Sequence, residues 1–357
     1  MKKTISAAII LVIGFSLAVS AQDKKPKNLI IMIGDGMGLN QVNSVILSNK
    51  DNAFSRFHSL GLSVTCSADN LITDSAAGAT ALSTGERTNN HYLGVTPEGK
   101  PLQNIMELAQ KKGKATGVVV TCSITHATPA GFVAHIDDRA KEYDIAKQFT
   151  ESDINVAIGG GTDFFLPKKQ KGKREDGENL AEKLAGRGYK VVYTLDELKN
   201  NSSEKVYALL EPSSLPTADK RDYSLADLVK AALTQLSKDE DGFVLMVEGS
   251  QIDWGGHAND QKLVQNELND FNKAINLCLD FAKEDMNTTV VVTADHETGG
   301  MGIVDGDREA KDLKFGFLTK GHTVGAVGVF ASGPGEEIFR GVFNNREIGK
   351  NFFKLVE

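Results

Sequence analysis

The chain has 357 residues, 41% hydrophobic and 24% charged, and carries a formal charge of −7. This composition excludes a disordered or low-complexity chain and supplies apolar material for a large core. The acidic balance argues against nucleic-acid binding by bulk charge; attraction of an anionic ligand has to be local, and bound metal ions are the obvious way to build a positive pocket in an acidic protein.

Lys2 and Lys3, the apolar run Ala7 to Val19 and the small residues Val19-Ser20-Ala21 form the pattern of a secretory signal peptide cleaved after Ala21. The expected mature chain, residues 22–357, is one exported domain, periplasmic or secreted, and subtracting Lys2 and Lys3 takes its charge from −7 to −9. No later apolar stretch is longer, so no membrane association is expected after cleavage. Cys66, Cys122 and Cys278 are an odd number for an oxidising compartment, and none has metal-site spacing to another.

Asn28 to Ile33 (NLIIMI) is an apolar run expected to be a strand buried on both faces, ending in Gly34-Asp35-Gly36-Met37-Gly38. A carboxylate at the carboxyl end of a buried parallel strand stands where α/β sheets place ligand-binding residues. A shorter strand, Leu62 to Cys66, leads into Thr73-Asp74-Ser75, where the turn runs into a helix rich in Ala and Gly. Ser75 then sits at or beside a helix N-terminus, whose free N–H groups and dipole suit an anion. A serine hydroxyl needs a base or a metal to become a nucleophile.

Pro101 to Lys112 reads as a helix and Ala115 to Thr121 as another buried strand, whose exit carries His126-Ala127-Thr128-Pro129 and then His135 and Arg139. Ile154 to Ile158 reads as a strand, and Lys168 to Glu178 as a charged surface loop tolerant of insertion. Leu180 to Gly186 (helix), Lys190 to Tyr193 and Lys205 to Leu210 (strands) and Leu225 to Leu236 (helix) continue an alternation expected of a mostly parallel sheet with helices on both faces.

Gly242 to Val247 is a buried strand followed by Glu248, Asp253, Trp254 and His257; Asp253 and His257 are four apart, so one helical turn puts them on one face. The β-branched strand Thr288 to Thr293 precedes Ala294-Asp295-His296-Glu297, and Gly321-His322-Thr323 precedes a strand from Val324 to Phe330. Asp35, Glu248, Asp253, Asp295, His257, His296 and His322 thus lie near strand ends, a nitrogen and oxygen donor set suited to zinc and magnesium.

Six phrases, Asp35-Gly-Met-Gly, Thr73-Asp-Ser-Ala-Ala, His126-Ala-Thr-Pro-Ala with Arg139, Val247-Glu-Gly-Ser-Gln-Ile-Asp with His257, Thr293-Ala-Asp-His-Glu and Gly321-His-Thr, occur in the order found in alkaline phosphatases. The chain resembles that family over nearly all its mature length. The resemblance implies a three-layer alkaline-phosphatase-like fold and hydrolysis of small phosphate monoesters through a phosphoserine at Ser75. It implies two zinc ions, one on Asp253, His257 and His322 and one on Asp35, Asp295 and His296. It also implies one magnesium ion at a site bordered by Asp35, Thr128 and Glu248, whose occupant zinc could replace. Arg139 would grip phosphate oxygens and Asp74 would orient Arg139, while His126 and Trp254 stand where some relatives carry Asp and Lys. A homodimer is expected by analogy. The alternatives are a related hydrolase of phosphodiesters or sulfate esters and a catalytically silent phosphate-binding or zinc-storage protein.

Overall fold

The computed structural model describes residues 25–357, so the leader read in the first 21 positions lies outside the described residues. The first eight strands are β1 (Asn28–Gly34), β2 (Ser59–Val64), β3 (Ala115–Ser123), β4 (Val156–Gly160), β5 (Lys190–Val192), β6 (Val206–Leu209), β7 (Phe243–Gly249) and β8 (Thr288–Thr293). Four short strands follow, β9 (Glu297–Thr298), β10 (Gly302–Asp305), β11 (Lys314–Gly316) and β12 (His322–Thr323), and then β13 (Val327–Ser332) and β14 (Gly341–Asn344). Ten of these form one sheet in the order β14-β2-β13-β8-β1-β7-β3-β4-β6-β5. Among the described strands of that sheet, β13 alone runs against its neighbours.

The central strands read as continuous apolar runs because both faces are covered. Leu29, Ile31 and Ile33 of β1 join a core with the helices Ser75–Thr84, Ile105–Lys111 and Asn345–Val356. Ile30 and Met32 face the other way, toward Leu39–Ser48, Leu225–Leu236 and the long helix Gln261–Asp285. Alternation along one strand therefore builds two cores and three layers. Among the described residues no helix is long and apolar enough to cross a membrane.

Most expected elements form with shifted ends. The helix expected from Pro101 starts at Ile105, because Asn104 accepts from the Glu107 N–H while the Glu107 carboxylate accepts from the Asn104 N–H. The strand expected at Leu62–Cys66 lies at Ser59–Val64. The charged segment 168–178 lies at the surface as expected, except at one residue. Its Arg174 side chain is fully buried, donating to the carbonyls of Tyr143 and Phe164 and pairing with Asp176 and Glu178, so the segment is anchored and not free to accept insertions anywhere. An arginine that satisfies its donors inside a loop has no local sequence signature.

Candidate functional site

Four adjacent strands, β8, β1, β7 and β3, aim their carboxyl ends at one place. Asp35 follows β1, Glu248 lies near the end of β7, Asp295 and His296 follow β8, and His126 and Thr128 follow β3. Parallel register makes this convergence unavoidable: Ile33 pairs with both Glu248 and Thr293. Gly36 has φ +68°, and a Cβ there would meet Thr298 Oγ1 at 2.6 Å and Asp253 Oδ1 at 3.0 Å, so the turn after Asp35 needs glycine on both counts.

Ser75 is the first residue of its helix, and Asp74 is the cap, its Oδ1 accepting from the Ala77 N–H at 3.0 Å. The other carboxylate oxygen accepts from Arg139 Nη1 and from the His91 N–H, both at 3.1 Å. One side chain thus holds a helix end and a guanidinium together. Gly78 lets the same helix approach β8, for a Cβ there would stand 3.0 Å from Asp295. Ser75 Oγ comes to lie 3.2 Å from His296 Nε2.

The ligand candidates named from the sequence fall into separate groups. Asp35, Asp295 and His296 bring one donor atom each within 4.8 Å of one another, and so do Asp253, His257 and His322. Asp253 and His257 share the helix Gln251–Ala258, whereas His322 arrives through the two-stranded ladder of β12 with β9, where it pairs with Thr298. His322 Nδ1 meets the Thr73 carbonyl at 2.9 Å and His257 Nδ1 meets the Lys320 carbonyl. A carbonyl only accepts, so both rings carry hydrogen on Nδ1 and turn Nε2 inward, the atom that bears the lone pair in the neutral ring. Those two nitrogens stand 3.1 Å apart with Asp253 at 3.4 and 3.6 Å, an arrangement of acceptors that a cation satisfies.

His296 is oriented the same way by Thr298, a residue the sequence reading passed over. The Thr298 hydroxyl donates to Asp253 Oδ1 and its oxygen faces His296 Nδ1 at 3.2 Å, so it accepts the ring N–H. One hydroxyl therefore connects the two groups, and the stacked rings of His296 and His322, 3.6 Å between centroids, connect them again. The only sequence signal for Thr298 is its place two residues after His296, a ligand candidate.

Burial makes these carboxylates costly. It holds Asp35 well above the usual carboxylate range, helped by Asp295, Asp253 and Glu248, and it pushes Glu248 up to about 7 and Asp295 upward. Burial, followed by His322, drives His296 well below the usual imidazole value. Both oxygens of Asp35, Asp295 Oδ2, Glu248 Oε1, Thr128 Oγ1 and His126 Nδ1 have no hydrogen-bond partner among the described residues. Buried polar atoms of this density are normally satisfied. The donor set fits divalent cations, zinc on the imidazole-containing groups and a harder ion where Asp35, Thr128 and Glu248 meet.

His126 lies 3.4 Å from Arg139 and packs edge-on to Trp254, with 6.3 Å between ring centroids; burial and then Arg139 hold its pKa down at about 3. His135 stands apart from the site, bonded to the Gly94 carbonyl and to Glu107. Cys122 joins His126 and Glu248, with one donor atom from each within 4.8 Å, a grouping absent from the sequence reading.

The alkaline phosphatase family model matches residues 26–311. Alkaline phosphatase 3 of Bacillus subtilis is 33% identical over 100% of this chain and 97% of its own length, and the Escherichia coli alkaline phosphatase is 31% identical over 90% and 80%. The solved alkaline phosphatase of an Antarctic bacterium superposes with a TM-score of 0.87 at 39% identity, over 93% of this chain and 98% of that one. By the length of the match and the identity alike, the chain belongs to the alkaline phosphatase family.

Proposed function

We propose that this phosphatase hydrolyses phosphate monoesters to an alcohol and inorganic phosphate through a phosphoserine at Ser75. Asp253, His257 and His322 hold one zinc ion, Asp35, Asp295 and His296 a second, and Asp35, Thr128 and Glu248 border a third site for magnesium. The observation that carries this reading is the Ser75 hydroxyl, seated at a helix N-terminus 3.2 Å from a histidine nitrogen turned inward.

When bound, paired zinc ions supply positive charge to the attacking and departing oxygens and lower the pKa of a hydroxyl or water beside them. The chain's own groups do the rest. Ser75 Oγ forms its bond to phosphorus as the ester oxygen departs and takes a proton to become the alcohol. Water then attacks phosphoserine, the P–Oγ bond breaks, and Ser75 recovers its proton as phosphate leaves. The free N–H groups of the first helical turn favour the dianion. Arg139 offers a planar pair of donors to phosphate oxygens, and Asp74 keeps that fork aimed.

A variant of the Antarctic enzyme with a histidine replaced by aspartate has magnesium bound in its M3 site. The same chemistry leaves the third site here short of one hard charged donor at His126, so magnesium is held weakly. Export, with cleavage after Ala21, belongs to the same reading.

The test is phosphate release by the zinc-loaded protein from an aryl phosphate, compared with a bis-aryl phosphate and an aryl sulfate. The monoester should be turned over fastest, an acid quench should trap phosphate on the Ser75 peptide, and chelation should abolish turnover until zinc returns. Full activity after exhaustive chelation, or preference for the diester or sulfate, overturns the reading.

A further inference from the structure

Glu248 spends its two oxygens differently. Oε2 accepts from Ser250 Oγ at 2.8 Å and from Cys122 Sγ at 3.4 Å, while Oε1 has no partner among the described residues. Ser250 Oγ also accepts from the N–H groups of Thr121 and Cys122, both at 3.2 Å, so the end of β3 and the turn after β7 are locked together around the thiol. Cys122 is fully buried, its sulfur also facing the Ser123 carbonyl at 3.2 Å. His126 follows one turn later, and its Nδ1 is sealed from solvent without a partner among the described residues. A thiol, an imidazole nitrogen and a carboxylate oxygen thus lie within 4.8 Å of one another.

Magnesium takes oxygen ligands and makes no use of sulfur, whereas zinc and cobalt accept thiolate, imidazole and carboxylate alike. We propose that Cys122, His126 and Glu248 form a thiolate–imidazole–carboxylate site for a borderline-soft divalent cation such as zinc. This rests on the reading of Glu248 as a metal ligand and adds a soft side to the third site, next to the oxygen side made with Asp35 and Thr128. On binding, the cation forms a bond to Cys122 Sγ and the S–H proton leaves to solvent. One thiolate and one carboxylate then cancel the charge of a dication, which a buried site requires. Glu248 is shared, so the soft cation and magnesium compete.

Sulfur gives this site a signature of its own, because the other two groups contain only histidine and aspartate. Cys278 lies in the core on the opposite face of the sheet, and Cys66 is half-buried beside Asn345, to which its carbonyl is bonded. The experiment is cobalt(II) loading of metal-depleted full chain, reading the near-ultraviolet thiolate-to-cobalt charge-transfer band and the visible d–d bands together. Wild type should show both. Cys122→Ser and Cys122→Ala should lose the charge-transfer band and keep d–d absorption from the two histidine-aspartate groups, which also reports a folded protein. Retention of one zinc equivalent against excess magnesium should fall at least about tenfold in either variant. A wild type with d–d bands and no charge-transfer band, or a Cys122 variant that keeps that band, overturns the soft site and leaves the two-zinc reading standing. A chain that takes up no cobalt overturns both.

Discussion

Two buried clusters of charge answer the cost of burial in opposite ways. On one face of the sheet, Arg221 is inserted between Asp270 and Glu267 of the helix Gln261–Asp285, with all three side chains less than a tenth exposed. Arg221 Nη1 donates to the Pro216 carbonyl at 2.9 Å, the Leu225 N–H donates to Asp270 at 3.0 Å and the Ala218 N–H to Glu267 at 2.6 Å. Of its atoms sealed from solvent only Arg221 Nε goes without a hydrogen-bond partner among the described residues. At the carboxyl ends of β1, β7 and β8, Asp35, Glu248 and Asp295 are at least as buried, yet four of their six carboxylate oxygens have no such partner. Burial is common to both; what differs is the local supply of donors. A cluster that closes on itself needs no ligand to offset its burial, and one left open to cations is poised for chemistry.

The largest effect should come from Ser75→Ala, which touches neither balance of charge. Turnover should fall by about 10³-fold or more, with zinc content and unfolding midpoint unchanged, as read from phosphate release, metal analysis and urea denaturation. Near wild-type turnover would remove Ser75 from the nucleophile's role.

Next come substitutions that set the clusters against each other. Arg221→Met strands two carboxylates and should destabilise the chain by about 3–5 kcal/mol while leaving zinc content intact. Asp295→Asn should do the reverse, losing zinc and raising the stability of the metal-free chain. Urea titrations of metal-free and zinc-loaded protein check both, and parallel losses in the two variants would erase the distinction drawn above.

A smaller, pH-dependent effect sharpens the comparison. Folding raises the pKa of Glu248 from 4.5 to about 7, so the proton-bound form favours the fold. Its contribution to the metal-free chain is fully present below pH 4.5 and is lost as pH rises through about 7; Asp35, also raised, extends the loss in the same direction. Zinc and magnesium should abolish that slope. A metal-free chain whose melting temperature stays level between pH 4.5 and 8 would mean that the carboxylates find other partners.

The smallest effect expected is that of Thr298→Val, which keeps shape and removes the hydroxyl between Asp253 and His296. Zinc affinity, measured by competition with a chelator, should fall about 10- to 100-fold, and Thr298→Ser should restore it. Equal affinity in all three proteins would show that the backbone alone orients His296.

Much of this was legible in the linear chain, for a physical reason. A strand covered on both faces must be apolar throughout, so β1, β3, β7 and β8 announce themselves as runs, and the residues that follow such strands are where α/β sheets expose ligands. Asp35, His126, Glu248, Asp253, Asp295 and Ser75 were therefore readable as site candidates from local context, and the order of their phrases carried the family. Helices whose apolar stripe is narrow were not: Gln261–Asp285 is polar on its outer side and went unremarked although it covers one face of the sheet.

Only the tertiary structure could decide which donors lie together. His322 reaches Asp253 and His257 because β12 pairs with β9, a contact two residues long with no periodicity to detect. Thr298 and Cys122 are ordinary strand residues until the helix Gln251–Ala258 brings Asp253, and the neighbouring strand β7 brings Glu248, alongside their hydroxyl and thiol. Arg174 and Arg221 look like any surface arginine until the backbone folds carbonyls and carboxylates around them. Side-chain type and local pattern are properties of the chain, whereas the balance of donors and acceptors in a buried space exists only once distant segments have met.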